Sequence, residues 1–324
     1  RNQLDLHLSR VFERICDLIV DPEQCVRTAL KGLFETVFRF LPQTAMVSFL
    51  PLVRVHLSAG LSHVTDAIRD DALALFDTLV STHPYVASSF QSQMLSTYLH
   101  LLTGTEVVLK PKAQARLRLR GCSMSERALM LESLLRYLSV LLREDTKEER
   151  ATSETPCLVW LAESETVLGL FQSAASSDLA TMASTAAGAS STDTAAAEAE
   201  IDLFAQYALP LLIEMWVEVS PPSFTAAADV TCVRAAFSIA RLLLTRKSCR
   251  KQQWVSDLAV TLQKHVVDVF PLDASLVPKQ CGATDGDVTA INASLCAVLA
   301  IVAATVNRRH DGPGSGASDN KTAA

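Results

Sequence analysis

An all-α fold of stacked helix pairs is what this sequence predicts, and three observations carry the expectation. Segments recur at one interval: Val26-Arg27 returns as Ile68-Arg69, Leu33-Phe34-Glu35-Thr36 as Leu75-Phe76-Asp77-Thr78, and Pro42 as Pro84, each pair 42 residues apart. Along most of the chain the large apolar residues fall three and four positions apart, the period of a helix with one buried face. Hydrophobic residues make up 49% of the 324 positions while only 11 are glycine, which supplies an interior but few of the turns that short strands need.

A repeat of roughly 40–47 residues is the length of a HEAT or armadillo helical unit. The expected fold is therefore an all-α, HEAT/armadillo-like helical-repeat solenoid, interrupted by a disordered Ala/Ser/Thr-rich insertion. Residues 1–145 read as the N-terminal repeats, 146–200 as a linker holding the insertion, 201–307 as C-terminal helical repeats and 308–324 as a disordered tail.

The elements follow in order. Leu8, Val11, Phe12, Ile15, Leu18 and Ile19 give a first amphipathic helix. Asp21-Pro22 stops it and starts the next, since Asp caps an N-terminus and Pro suits the first helical position. The second helix carries Val26, Leu30, Leu33, Val37 and Phe40. Its Arg27 lies six residues after Asp21, the acid-to-arginine spacing of a HEAT unit, in which neighbouring repeats bridge along their inner helices. In the next unit His63 stands at the position of Asp21, and Asp66 lies three before Arg69. Asp21, Arg27, Asp66 and Arg69 are thus the expected structural ladder.

Pro51 is expected to kink its segment or open a new helix there, with the outer helix of the second unit running from Leu52 to Ser62. The inner helix then buries Ile68, Ala72, Leu75, Leu79 and Val80. Phe90, Met94, Leu95, Tyr98, Leu101 and Leu102 form another helix, ended by Gly104. From Thr105 to Gly121 the character changes. Lys110, Lys112, Arg116, Arg118 and Arg120 stand against one acid, Glu106, and Leu117 and Leu119 alternate with arginines in either a short extended stretch or a helix start. Ser123-x-x-Glu126 is a capping box. The helix behind it places Leu131, Leu134, Leu135, Leu138, Leu141 and Leu142 on one side.

A charged run, Glu144 to Glu149, marks a boundary. Leu158 to Phe171 has helical character, whereas Ser173 to Glu200 lacks large apolar residues to bury and reads as the disordered insertion. Order is expected to return at Ile201, with Leu203, Phe204, Tyr207, Leu211, Leu212, Met215 and Trp216 at helical intervals. Further helices are expected over Val230–Thr245, Trp254–Phe270 and Val288–Val306. Arg246, Lys247, Arg250 and Lys251 suit the C-terminal end of the first of these. The apolar run from Ala293 to Val306 is shorter than the roughly 20 residues that span a bilayer, and reads as a buried helix. The chain opens at Arg1 directly into helical periodicity, as a fragment of a longer protein does.

Chemistry is scarce. Eight cysteines, at 16, 25, 122, 157, 232, 249, 281 and 296, show no CxxC spacing and read as free thiols, several of them buried. No HExxH, GxSxG or phosphate-cradling GxxxxGK occurs, His56 and His63 are seven rather than four apart, and no cofactor is implied. The net charge of −6 argues against whole-surface binding of nucleic acid, so an RNA contact needs a local patch. The run Lys110, Lys112, Arg116, Arg118, Arg120 is the candidate for RNA or an acidic partner. Read without function, it is a solvated inter-repeat loop, and no aromatic residues interleave with it for base stacking.

Two blocks of residues point to a family. Phe49-Leu50-Pro51, Ser58-Ala59 through His63, Asp66-Ala67-Ile68-Arg69, and Leu75 through Leu79 with Pro84 together resemble the N-terminal block of the testis-expressed protein 10 / Ipi family. Leu209-Pro210-Leu211-Leu212 with Trp216 to Pro221 is similar to a later element of the same proteins. The resemblance implies a non-enzymatic HEAT-repeat scaffold in the nucleus or nucleolus. It implies a complex with a WD-repeat β-propeller protein and a larger helical-repeat protein, and recruitment of a midasin-type AAA ATPase to the pre-60S particle. It also implies a role in processing the second internal transcribed spacer, with no membrane involved and no catalytic residues to carry over. The alternative reading of the repeats alone is a HEAT/armadillo adaptor in transport or signalling.

Overall fold

A computed structural model describes residues 3–40, 43–105, 117–142, 191–219, 224–273, 277 and 284–310. Every element among them is helical, and no strand occurs among the described residues. In chain order the helices are α1 (Gln3–Asp17), α2 (Gln24–Phe40), α3 (Gln43–Leu61), α4 (Asp66–Thr82), α5 (Val86–Ser89), α6 (Gln91–Thr103), α7 (Met124–Leu141), α8 (Ser191–Val219), α9 (Ala227–Thr245), α10 (Lys247–Arg250), α11 (Trp254–His265) and α12 (Asp285–His310). Single 3-10 turns cover Leu18–Val20 and Val267–Val269. The all-α helical-repeat expectation holds. Glu144–Glu149, Leu158–Phe171, Ser173 up to residue 190, and the tail beyond His310 lie outside the described residues.

The chain divides into two compact units, Arg1–Val108 with Glu132–Ile201, and Leu109–Leu131 with Asp202–Ala324. Residues 117–131 therefore go with the C-terminal helices rather than with the first repeats. The contacts that place them there are those of Arg127 with Glu218 and of Cys232 with the Met124 carbonyl.

In the first unit the 42-residue interval is a structural period. Both α2 and α4 are 17 residues long, and the start and end of α4 are those of α2 shifted by that interval. Their cores match: Leu30, Phe34 and Phe38 are buried on α2, and Ala72, Phe76 and Val80 on α4. α2 packs on α4 and α1 on α3, with Phe12 stacked on Phe49 at 4.2 Å. Gly60 allows the close approach of these layers. A Cβ there would meet Ala72 Cβ at 2.9 Å and Ile19 Cγ2 at 3.0 Å.

Three expected boundaries move. Pro51 does not start a new helix, because α3 runs from Gln43 to Leu61 with Pro51 inside it. Pro51 and Val47 both face solvent, the side of a helix on which a missing donor is tolerated best. Order begins before Ile201. α8 starts at Ser191, inside the Ala-rich stretch, because alanine is the best helix former and Gln91 anchors that stretch by donating from Nε2 to the Ala197 carbonyl at 2.6 Å. Leu117 to Cys122 is not helical, which decides between the two readings of that segment.

The predicted caps form. Ser123 N donates to Glu126 Oε2 at 2.8 Å and Glu126 N to Ser123 Oγ at 3.3 Å, a complete capping box. Gly104 ends α6 in the left-handed region at φ 70°. In the second unit Asp229 accepts from the amides of Thr225 and Ala226 ahead of α9. α12 exceeds the expected helix at both ends. Its span Asp285–Val306 is long and apolar enough to cross a membrane by length and composition. Its buried residues Val288, Ile291, Leu295, Val298 and Val302 nevertheless form a single stripe, and it packs against α9 and α11, the pattern of an amphipathic core helix.

A buried polar network ties α4, α6 and α7. The hydroxyls of Tyr98 and Ser133 share a hydrogen bond of 2.7 Å, Ser133 Oγ donates to Asp77 Oδ1 at 2.5 Å, and Arg136 pairs with the other oxygen of Asp77. Burial holds the Asp77 carboxyl above its ordinary value although Ser133 and Arg136 both favour the anion. Phe76 sits beside this network, its ring 5.3 Å from that of Tyr137 and 6.5 Å from that of Tyr98.

His83 closes α4 with its Nε2 buried and without a hydrogen-bond partner among the described residues, edge-on to Phe38 and Tyr85. Burial lowers its pKa from 6.5, outweighing the opposing hydrogen bond to the Phe38 backbone. A group whose folded pKa is depressed gives stability that is present above the unfolded pKa and is lost as pH falls through the folded value. Urea midpoints followed by circular dichroism should therefore fall between pH 7.5 and about pH 5.5, and fall less in His83→Gln. Equal falls in the two proteins would remove His83 as the cause.

Candidate functional site

The arginines that open α2 and α4 share one geometry. Arg27 Nη1 donates to the carbonyls of Asp21 and Pro22 at 2.7 and 3.0 Å, and Arg69 Nη1 to those of His63 and Val64 at 2.9 and 3.0 Å. Each guanidinium thus forks onto the carbonyls six and five residues back, closing the turn before its own helix. Arg250 repeats this in the second unit, bonding Leu244 O at 2.9 Å and Thr245 O at 2.7 Å.

The ladder partners differ from the sequence expectation. Arg27 Nε reaches across to Asp71 Oδ2 at 2.7 Å, so the acid bridging the two repeats is Asp71 rather than Asp66. Asp66 pairs with Arg69 within α4. The Asp21 side chain accepts from Glu23 N at 2.8 Å, a cap just ahead of α2, and meets Arg27 through its carbonyl alone. One helical turn separates Asp66 from Asp70 and Asp71, and which of them faces α2 depends on the rotation of α4, which residue spacing does not encode.

Repeat-equivalent positions differ in exposure where no described repeat precedes them. Val11 is 50% exposed and its equivalent Val53 is 1% exposed; Leu33 is 43% exposed and its equivalent Leu75 is 4% exposed. Leu75 faces Ile19, Arg27 and Leu30 of the first repeat. Arg10, Val11, Arg14, Ile15 and Leu18 on α1 line an open depression of about 400 Å³.

Of the basic run, Lys110, Lys112 and Arg116 lie outside the described residues. Arg118 is exposed and Arg120 half-buried. Their segment is fastened by the buried Arg127, which donates to the Arg120 carbonyl at 2.9 Å and to Glu218 Oε2 on α8 at 2.7 Å. Arg118 and Leu117 stand at a cleft of about 690 Å³ between α8 and α11. Sequence reasoning did not find this cleft, because its walls come from three stretches far apart in the chain.

Among the described residues no three His, Cys, Asp or Glu side chains converge as a metal site. The buried thiols Cys16 and Cys249 are each pushed up to about 12, chiefly by burial, so neither is a thiolate nucleophile at neutral pH. Cys249 Sγ lies 3.1 Å from Asp202 Oδ1, which also takes Ser248 Oγ at 2.8 Å and Arg246 Nε at 3.3 Å. Cys16 and Cys232 are buried as expected of apolar positions, while Cys25 and Cys296 are exposed.

No family model matches the chain. Over an alignment of 357 residues it is 23% identical to the Testis-expressed protein 10 homolog of Danio rerio, covering 91% of this chain and 38% of that protein. The chain therefore spans well under half the length of this curated relative. The relative bears the name of the family that Phe49–Pro84 resembles, and in the structure that block is the α3–α4 pair.

Proposed function

We propose that this chain is a non-enzymatic scaffold subunit of a nuclear complex that matures the large ribosomal subunit and processes the second internal transcribed spacer. Its partners in that reading are a WD-repeat β-propeller protein, a larger helical-repeat protein and a midasin-type AAA ATPase, gathered on the pre-60S particle. The observation that carries the reading is the resemblance of Phe49–Pro84 to the family block, supported by similarity to the Testis-expressed protein 10 homolog over most of the chain. Stacked helix pairs suit assembly through their surfaces, which is how repeat proteins bind.

Affinity purification of the tagged chain from nuclear extract tests this. The expected result is co-recovery of the propeller protein, the helical-repeat protein and pre-ribosomal RNA. Recovery of transport receptors or kinases in their place would favour the adaptor reading. In the same assay, neutralising Lys110, Lys112, Arg116, Arg118 and Arg120 together should lower RNA recovery in a salt-dependent way while the melting temperature holds. Unchanged, salt-insensitive recovery would take the basic run out of the account.

A further inference from the structure

The cleft of the second unit has a defined chemistry. Its α8 wall carries Tyr207, Pro210, Leu211 and Val217, and its α11 wall Trp254 and Leu258. On α8 the spacing from Tyr207 is three, four and ten, and on α11 it is four, so each wall is one helical face. Where the two helices approach, Trp216 Nε1 donates to the His265 carbonyl at 2.8 Å, which fixes that end. Tyr207, Leu211 and Leu258 are buried at the floor of the cleft, while Val217 at 45% exposure, Pro210 and the half-buried Trp254 present apolar surface to solvent. A volume of about 690 Å³ lies in the range of roughly 300–1,000 Å³ typical of ligand clefts.

Charge selects the occupant. Glu214 stands on one wall and Asp257 on the other, both exposed, and neither carboxylate has an ion pair or hydrogen bond among the described residues. Among the described lining residues Arg118 is the one arginine or lysine against two acids, so a phosphate backbone is disfavoured at both walls. A segment bearing aliphatic or aromatic anchors and a lysine or arginine fits instead. The anchors would lie on Pro210, Val217 and Trp254, with the cation drawn to Glu214 and Asp257.

We propose that the α8–α11 cleft is a docking site for a basic-apolar peptide segment of a partner protein. The proposal goes beyond the scaffold reading and holds whichever complex the chain serves.

The probe is a phage-displayed library of random 16-residue peptides, selected against the full chain and against the Glu214→Lys/Asp257→Lys chain. The expected result is enrichment of peptides that combine Lys or Arg with aromatic or aliphatic residues. Synthesised and labelled, these should bind the native chain at least tenfold more tightly than the double variant. Both substitutions are exposed, and an unchanged circular dichroism melt verifies that the variant is folded. Val217→Ser, which strips apolar surface from the α8 wall and leaves both acids charged, should weaken the same peptides. Enrichment of acidic peptides, no enrichment, binding indifferent to the substitutions, or displacement of the peptides by a uridine oligonucleotide would each overturn the assignment. None of these outcomes depends on which proteins co-purify from nuclear extract.

Discussion

Leu75→Asp should abolish cooperative folding of the first unit, and Leu33→Asp, the same substitution one repeat earlier, should leave it folded. Leu75 is buried and lines one small cavity with Ile19, Arg27 and Leu30, and a carboxylate there loses its water and competes with Asp71 for Arg27. Leu33 occupies the equivalent place on the uncovered edge, where a surface change is worth about 0.5 kcal/mol or less. Phe76→Asp should behave as Leu75→Asp does. Its ring is fully buried against Phe90, Tyr98 and Tyr137, and truncating a buried Phe even to Ala costs about 3–5 kcal/mol. Against a typical total of about 5–15 kcal/mol that is a large share. Urea melts of the variants check it. Equal damage from Leu33→Asp and Leu75→Asp would mean that the two repeats do not stand in the order described.

Arg27→Met should destabilise the first unit by about 2–3 kcal/mol. The substitution removes the partner of Asp71 and two hydrogen bonds to the carbonyls of Asp21 and Pro22. Asp71 keeps a third of its side chain in water, which holds the cost below the roughly 3–5 kcal/mol of a fully buried pair. Arg27→Lys should recover only part of the loss, because an ammonium cannot hold the planar fork and the carboxylate together. The double variant Arg27→Met/Asp71→Leu should lose less than the two single changes summed. Strict additivity in chemical denaturation would show that the cross-repeat pair contributes nothing.

Much of this architecture could be read from residues. The 42-residue interval located α2 and α4, the Ser123–Glu126 pair located a cap, and Gly104 located a helix end, because each is a local rule that tertiary contacts left standing. That α3 continues through Pro51 was not legible locally, because a proline's effect depends on which side of the helix faces water, and orientation enters only with packing. The start of α8 at Ser191 was hidden because an alanine run has helix propensity without a buried stripe, and its anchor, Gln91, lies 106 residues away. The same limit applies to the sites. Arg27 stood out by its spacing from Asp21, but its partner Asp71 belongs to another helix. The α8–α11 cleft draws Arg118, Glu214 and Asp257 from three distant segments, and no window of sequence contains them together.

The central claim is that one 42-residue pattern builds equivalent helix pairs that serve as a docking frame. A crystal structure of the full chain, with residues 21–40 superposed on 63–82, tests it most directly. The account predicts two helices that coincide end to end, each with its arginine forked onto the carbonyls six and five positions back, and Arg27 reaching Asp71. Helices of different length or course, or a strand in either block, would contradict it.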